Sequence, residues 1–587
     1  MEGNTPSSHE PSTTASEIEK ERAEPAAKPF ADSAEKEQTD PTAPSAAPAE
    51  QDGATQQPEA DATASYPTGL KLTMIVIALQ LAVLCVALDN TIISTAIPRI
   101  TDEFHALSDV GWYGSAYLLP LSGFQLFFGR LYSICNIKWT FLCALFIFEL
   151  GSLICAVAPT STALIVGRAI AGLGSAGLFS GALIILAFNT RLEQRAFFNS
   201  VLTAVYGIAS IVGPLIGGVF TDHVTWRWCF YINLPIGGAT AVVLVFFLRS
   251  LPPPAPGNGT WRDTILRFDP LGTLLFTPCV VCVLLALQWG GTTYPWSNGR
   301  IIALFVVFGV LLIGFIATQF WAGDNATVPI RIARQRIIAC GGFFSFCVGA
   351  AFFIMTYYIP IWFQAIRNAS ATTSGLDMLP MMIANIAAVM IAGAVVAIWG
   401  HYVPFMYGLV VFGSVGAGLL TTWTVDTSTG KWIGYQILFG AGIGMGMQQT
   451  LIAAQSVLSL ADVPTGTALM QFSQMFGGSL FVSVAQNIFT TRLSSGLSGI
   501  AGVDAATVVS TGATQITSLF HDPSILRTVR IVYNDALMKA FLVALIMNCL
   551  SLLGTVGMGF RTLKSGKPEE KPEDGAGRAN SEPTASS

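Results

Sequence analysis

The chain is 587 residues long, 52% apolar and only 11% charged, with a mean hydropathy of +0.59, whereas soluble domains carry roughly 25% charged residues. Its formal charge of −5 is uneven: residues 1–70 hold 14 acids and 4 bases, and residues 71–560 hold 16 acids and 21 bases. So few charges cannot cover a soluble enzyme, nor form the dense basic face a nucleic-acid binder needs, and the pattern is that of an all-α integral membrane protein.

Residues 1–70 are rich in Pro, Ala, Ser, Thr, Glu and Gln; such a segment cannot offset its own ordering entropy, so a disordered acidic tail is expected. No apolar stretch follows the N-terminus, so a cleavable signal peptide is not expected. Apolar stretches then fall near 73–97, 111–133, 139–158, 163–188, 199–220, 229–249, 268–289, 300–321, 337–363, 375–399, 403–423, 432–457, 465–489 and 536–560. Each approaches the length of about 20 residues that crosses a bilayer as a helix, which predicts 14 transmembrane helices, an even number, with both termini on one side. A second polar tail covers 561–587.

The positive-inside rule orients the chain. With cytoplasmic termini the short inner loops hold Lys138, Arg191, Arg195, Arg249, Arg262, Arg267, Arg331, Arg334 and Arg336, against Arg99, Arg227, Arg300, Arg367 and Lys431 outside. The sequons at Asn258 and Asn325 then lie inside and stay bare, whereas Asn368-Ala-Ser lies outside and is a glycosylation candidate. Most cysteines sit within apolar runs, and the Cys279-x-x-Cys282 pair has no further ligands nearby, so these are read as small buried hydrophobes with no metal site.

Charges within a span are expensive and mark functional candidates. Asp89 in the first span and Arg168 in the fourth lie at similar depth, within side-chain reach at 1.5 Å per residue. Arginine favours the charged carboxylate and burial favours the neutral acid, a balance that suits proton uptake and release; a static pair that fixes helix packing is the alternative. Glu149, in the middle of the third span, is either a third proton-relay group or a structural hydrogen-bonding partner. The second half has no charge in the middle of a span but carries Gln364, Gln436, Gln448, Gln449, Gln455, Gln471, Gln474 and Gln486, with Phe472 and Phe476 among the aromatics nearby. Amides among aromatics suit a bulky, mostly apolar ligand, although for any one of them helix-to-helix hydrogen bonding is the better explanation. Gly172-Leu-Gly174-Ser-Ala-Gly177 spells GxGxxG, but within an apolar span close helix packing accounts for it better than a dinucleotide. No GxxxxGK[ST] occurs, so nothing points to ATP-driven pumping.

The fifth span reads Ala209-x-x-x-Gly213-Pro214-x-x-Gly217-Gly218. It resembles the antiporter motif of the major facilitator superfamily, with Ala209 in place of the first glycine. Leu88-Asp89-Asn90-Thr91-Ile92 through Ala96-Ile97-Pro98 resembles the first-helix signature of the 14-span drug:proton antiporters. Arg168 with Gly172 resembles their fourth-helix motif, with Ala171 where Gln is usual. Gly129-Arg130-Leu131 to Lys138 resembles the cytoplasmic gating motif, with Ser133 for the usual Asp and Asn136-Ile137 for Gly-Arg. The regions from Tyr357 to Pro380, from Gln448 to Gln455 and from Asp462 to Gly478 resemble the fungal toxin and multidrug efflux branch.

The resemblance implies two six-helix bundles, at 71–250 and 337–560, with two extra helices and linkers at 251–336. It also implies export of an amphipathic small molecule driven by protons, by a monomer without a cofactor, at the plasma membrane. Asp89, Arg168 and Glu149 are then the coupling candidates, and Gly213, Pro214, Gly217 and Gly218 would let the bundles rock without touching the proton. Gly129, Arg130 and Lys138 form the gate, and Gln364, Gln448, Gln449, Gln455, Gln471, Gln474 and Phe476 contact substrate. A siderophore, amino-acid or other metabolite carrier of the same fold, in the vacuolar membrane, is the nearest alternative; a non-transporting receptor of that fold is the other class.

Overall fold

The computed structural model describes residues 66–105, 109–250, 267–291, 294–498, 500, 503–510, 516–520, 522–560 and 562–563. Both predicted tails, apart from a few residues at their inner ends, and the sequon at Asn258 lie outside these. The described residues are helical, with two isolated β-bridges and no strand. In chain order the long helices are α1 (Leu70–Phe104), α2 (Val110–Ile134), α3 (Ile137–Ala156), α4 (Ser161–Asn189), α5 (Leu192–His223), α6 (Trp228–Phe247) and α7 (Pro270–Trp289). There follow α8 (Gly299–Ala322), α9 (Arg336–Arg367), α10 (Leu379–Trp399), α11 (Val403–Leu420), α12 (Thr429–Val457), α13 (Val463–Leu497) and α14 (Pro523–Val556).

Thirteen of these are long and apolar enough to cross a membrane. The remaining one, α2, has 25 residues, ample for a span, but its Ser, Gln, Gly and Arg residues dilute its hydropathy. Those polar residues face protein rather than lipid: α2 lies at the seam between the two halves, against α4, α7 and α13. Each of the 14 expected spans therefore corresponds to a helix, and the up-down order places both ends of the described chain at the same end of the bundle. An antiparallel bridge between His401 and Thr562 and a hydrogen bond from Leu563 N to Gly400 O (2.8 Å) close that terminal end.

Helices α1–α6 form one bundle and α9–α14 a second, joined mainly through α5 on α10 and α2 on α13. Small residues set the close approaches. Gly174 of α4 lies against the backbone of Phe148, and Gly349 of α9 against the backbone of Gln474, where a Cβ at either position would collide. At the seam Gly129 of α2 meets Ala468 of α13, and Gly393 of α10 meets Ser200 and Ala196 of α5. Helix α11 is wound as a π-helix over Leu409–Gly413, where Gly413 packs against Gly442 of α12 and beneath Asn548 of α14. Helix α12 is broken at Met447–Gln448 between Thr429–Gly446 and Gln449–Val457.

The extra pair α7–α8 spans the seam. Helix α7 is capped by Asp269, which adopts the left-handed conformation (φ 47°) and gathers four donors: Gly272 N (2.8 Å), Thr327 N (2.8 Å), Thr327 Oγ1 (2.9 Å) and Gln319 Nε2 (3.1 Å). Along its length α7 bonds to α2 through Thr277 Oγ1 to Gly123 O (3.1 Å) and Gln288 Nε2 to Ser115 Oγ (2.6 Å), and it meets α13 through Phe276 on Phe472. Helix α8 packs chiefly on α7 and turns Val306, Val310, Ile313 and Phe320 outward, as a lipid-facing helix does.

The motif glycines of α5 do different jobs. Gly213 and Gly217, one turn apart, face α1: Gly213 lies against Thr91, and a Cβ at Gly217 would stand 2.5 Å from Ile92 O and from Thr95 Oγ1. Gly218 has open space around its Cβ position. Gly217→Val should therefore lower the melting temperature of the purified protein, overpacking of this kind costing about 1–3 kcal/mol, whereas Gly218→Ala should leave it within a degree or two. Equal effects of the two substitutions would contradict this packing.

Candidate functional site

Asp89 and Arg168 meet in the interior of the first bundle, both fully buried, with Arg168 Nη1 donating to Asp89 Oδ2 at 2.5 Å. The same nitrogen also donates to Asp89 O (3.2 Å), and Arg168 Nε donates to Tyr113 O (3.0 Å), so the guanidinium clamps α1 and α2 onto α4. Asn233 of α6 completes the shell: its Nδ2 donates to Asp89 Oδ1 and to Ser152 Oγ of α3, each at 3.2 Å. The guanidinium lies over the Tyr117 ring, 4.4 Å from its centroid, and the Tyr117 hydroxyl is tied to Ser175 Oγ at 2.6 Å. Lysine could not replace this planar fork, which reaches three acceptor atoms and an aromatic face at once.

The local chain explains why Asp89 is held so firmly. Thr91 Oγ1 bonds back to Ala87 O (2.9 Å) and across to Ala209 O of α5 (3.3 Å). The Gly213–Gly217 face presses on this same segment, so the first-helix signature and the antiporter motif are two sides of one contact. Both motifs were read from sequence separately.

Glu149 of α3 lies one turn before Ser152, against Gly237 of α6, which is itself one turn beyond Asn233. Both carboxyl oxygens of Glu149 are sealed from solvent without a hydrogen-bond partner, and so are Arg168 Nη2 and Asn233 Oδ1. A buried acid without a donor is a costly arrangement, and the hydrogen bonds that join Ser152 and Asn233 to Asp89 do not reach it.

A narrow cleft opens beside this shell, between the bundles. Its polar lining is Asn90, Gln125 and Gln471 with the phenols of Tyr117 and Tyr206; Val86, Leu121, Phe179 and Met475 supply the apolar walls. Asn90 Nδ2 donates to Tyr206 OH (3.3 Å). Gln125 and Gln471 are buried, and neither side chain has a hydrogen-bond partner among the described residues. Tyr117 thus stands between the ion pair and the cleft.

Of the substrate-contact residues expected from sequence, Gln471 alone lines this cleft. Gln364 donates to Ser374 Oγ (2.9 Å), Gln449 to Met445 O (3.0 Å), and Gln455 Oε1 accepts from Asn199 Nδ2 across the seam (3.5 Å). Gln448 is the buried cap before Gln449–Val457, and Gln474 is buried where α13 crosses Gly349. Phe476 stacks on Phe472, their ring centroids 5.2 Å apart, next to α7. Sequence reasoning missed Asn90, Gln125, Tyr117, Tyr206 and Met475. Asn90 was visible within the first-helix signature; Gln125 was visible as an amide in the least hydropathic span.

At the terminal end, Arg130 donates to two linker carbonyls, Arg267 O (2.9 Å) and Asp324 O (3.1 Å), and Lys138 Nζ caps the end of α6 through Val245 O (2.8 Å) and Leu248 O (2.9 Å). Neither pairs with an acid of the second bundle; Ser133 donates to Arg130 O (2.8 Å). The charge tie comes instead from the linker after α8. Arg331 forks onto both oxygens of Asp462, at the start of α13, at 2.7 Å each, and its Nε reaches Asp324 (2.7 Å). Burial pushes the Asp462 carboxyl up, but the Arg331 guanidinium and the Ser459 hydroxyl outweigh it and hold the group below the usual carboxylate range. Asn368, the sequon residue outside the seam, is an exposed left-handed cap of α9 (φ 55°) at the opposite end.

Two measurements follow from this geometry. Arg168→Leu leaves Asp89 charged and uncompensated, so it should destabilise the purified protein by about 3–5 kcal/mol, and the Asp89→Asn/Arg168→Leu double variant should recover much of that in thermal unfolding. Arg331→Ala should cost about 1 kcal/mol or less at pH 7, because the pair is part-exposed. Since the Asp462 value is depressed, that contribution is complete above the ordinary carboxylate value of about 4 and disappears as pH falls through the lowered one. The stability gap between wild type and Arg331→Ala should therefore close below about pH 3–4.

A family model described as the Major Facilitator Superfamily matches residues 79–482. The MFS-type transporter phomT of Diaporthe leptostromiformis is 60% identical over 528 residues, 89% of each chain. The efflux pump aflT of Aspergillus parasiticus is 54% identical over 513 residues, 87% of this chain and 99% of that one. Among solved structures, the proton:xylose symporter XylE aligns with a TM-score of 0.55 at 12% identity, over 84% of this chain and 97% of that one, a likeness of fold alone. The chain, a multi-pass helical membrane protein, belongs to the major facilitator superfamily.

Proposed function

We propose that this protein is a proton-coupled efflux transporter that expels amphipathic small molecules of the secondary-metabolite type by alternating access. The carrying observation is the sealed Asp89–Arg168 pair, whose guanidinium lies on the Tyr117 ring that lines the inter-bundle cleft. The family and the efflux pumps among its relatives support the transport class. Coupling is the chemistry that a carboxylate in a dry interior, paired with a fixed cation, is suited to perform.

In this reading a proton binds Asp89 Oδ2, the bond to it from Arg168 Nη1 breaks, and the guanidinium is left to its remaining acceptors, Asp89 O and Tyr113 O. Because Arg168 ties α1 and α2 to α4, and Tyr117 rides on the guanidinium, that rearrangement reaches the cleft wall. Release of the proton restores the pair. Glu149, one turn before Ser152 on α3, serves as a second proton-holding group. The terminal-end contacts, Gly129 on Ala468 and Arg331 on Asp462, close the cytoplasmic side in the state described here. The termini are cytoplasmic, the membrane is the plasma membrane, the working unit is the monomer, and Asn368 is open to glycosylation from outside.

The test is dye retention in export-deficient yeast expressing the chain, with and without a protonophore. Wild type should lower retention and the protonophore should restore it; Asp89→Asn should abolish export while the protein still reaches the cell surface. Export by Asp89→Asn equal to wild type would sink the coupling assignment, and an intracellular location would move the site of action to the vacuole.

A further inference from the structure

We infer that Arg195 is the clamp of the terminal end: one buried guanidinium, set between the C-terminal ends of α4 and α12, holds together two helix ends that belong to opposite bundles. The inference rests on the proposed transport only for the purpose of the clamp. Arg195 lies in the first turn of α5 and is 3% exposed. Its Nε donates to the carbonyl of Thr190, the residue that ends α4, and its Nη1 donates to Gln455 O in the last turn of α12, each at 3.4 Å. Asn199, one turn further along α5, donates from Nδ2 to Gln455 Oε1 (3.5 Å). Two residues of the first bundle thus address the backbone and the side chain of a single residue of the second.

The electrostatics explain why a cation stands there. A helix leaves its last carbonyls without intrahelical donors and carries roughly half a negative charge at that end. Two such ends repel when they approach, and the surroundings here are apolar: Ala187 of α4 shares one buried cluster with Ala454 and Leu458 of α12, Ile332 of the linker and Val463 of α13. Unpaired carbonyls in such a setting are costly. Arg195 offsets the repulsion and supplies a donor to both ends at once.

The clamp is built to open. Charge-assisted N–H···O bonds run at about 2.7–2.9 Å, whereas these are longer, so charge rather than a tight fork does the holding. The closed arrangement also leaves Asn199 Oδ1 and Gln455 Nε2 buried without partners. Water admitted between the bundles would satisfy both atoms and the guanidinium, so parting recovers some of its own cost. The far side of the same turn is tied by Arg331 on Asp462, but that arginine is half-exposed, where solvent weakens the attraction. The buried grip belongs to Arg195, and Gln455 is its receptor rather than a substrate contact.

The experiment is hydrogen–deuterium exchange by mass spectrometry on the purified full chain in nanodiscs. Arg195→Gln should speed exchange about tenfold in peptides spanning 186–200 and 449–462, while peptides at the opposite end, 109–117 and 160–168, stay unchanged or slow down. Arg195→Lys, which keeps the charge and loses the fork, should remain close to wild type. Gln455→Leu, which removes only the Asn199 bond, should speed the same peptides about two- to fivefold; it carries the test if Arg195→Gln does not fold. Faster exchange spread equally over both ends, no change at the terminal end, or Arg195→Lys as fast as Arg195→Gln would overturn the inference. Export from yeast is scored separately. One-sided opening in a chain that exports nothing would retain the clamp and remove the transport reading; unchanged exchange in a chain that exports would do the opposite.

Discussion

Two opposite charges sealed in a helical bundle are expensive to desolvate, and the architecture of the first half is organised around making Asp89 and Arg168 tolerable there. Their attraction in a medium of low dielectric offsets the cost only if the geometry is tight and the remaining polar atoms are bonded. That requirement explains why three helices converge on one guanidinium, and why Asn233 from a fourth fills the free side of the carboxylate. It also explains the glycines of α5. A side chain at Gly213 or Gly217 would push α1 away and lengthen a contact that works only when short. The accounts do not balance completely. Arg168 Nη2, Asn233 Oδ1 and both Glu149 oxygens remain without partners, so the site is held together and yet poised to rearrange.

The second bundle solves a different problem. Among its described residues it has no buried ion pair of this kind, and it relies on aromatic packing and on neutral hydrogen bonds, such as Trp362 Nε1 to Asn534 Oδ1 (2.7 Å) beside Trp423. A rigid half of this type and a half containing a switchable charge make a natural division of labour. Movement generated at Asp89 can be expressed only where the halves touch, at α5–α10 and α2–α13. Helix α7 crosses the second of these seams and bonds to both sides, through Gly123 on α2 and Asn487 on α13 (Asn487 Nδ2 to Leu287 O, 3.5 Å). In the proposed cycle the extra pair would therefore have to slide or flex. Its tie through Arg331 reaches Asp462 at the start of α13.

Spans, depth and the main charged pair were legible in the sequence for simple reasons. Bilayer thickness sets a length for each apolar run, and 1.5 Å per residue converts position into depth, which is why the sequence alone puts Asp89 and Arg168 at matching depths. The glutamines were a poorer guide. Gln364, Gln449 and Gln455 look the same on paper as Gln471, but a glutamine's role depends on whether a neighbouring helix brings it a partner, and that is a property of packing. The cleft wall was hidden for a related reason: Tyr117 and Tyr206 are single aromatics in spans full of aromatics. Helix α2 carried a usable signal, since polar residues in a span must face either protein or a cavity. Breaks such as the π-helix at Leu409–Gly413 left no trace beyond a run of glycines, because small residues permit such winding without demanding it.

The position of Tyr117 bears most directly on how coupling can work without substrate and proton sharing an atom. Direct competition for one carboxylate would require Asp89 to face the cleft, and it is fully buried behind it. In the proposed mechanism coupling would pass through whatever touches both sites, and Tyr117 does: it lines the cleft, receives the guanidinium on its ring and anchors its hydroxyl on Ser175 of the helix that carries Arg168. A change of charge at Asp89 alters the force on Arg168, and the ring cannot stay indifferent to a cation leaving or arriving at 4.4 Å. The same link runs backwards, as linkage between two sites requires: a ligand that presses on Tyr117 changes the cost of holding the guanidinium against Asp89, and so changes the affinity of that carboxylate for its proton.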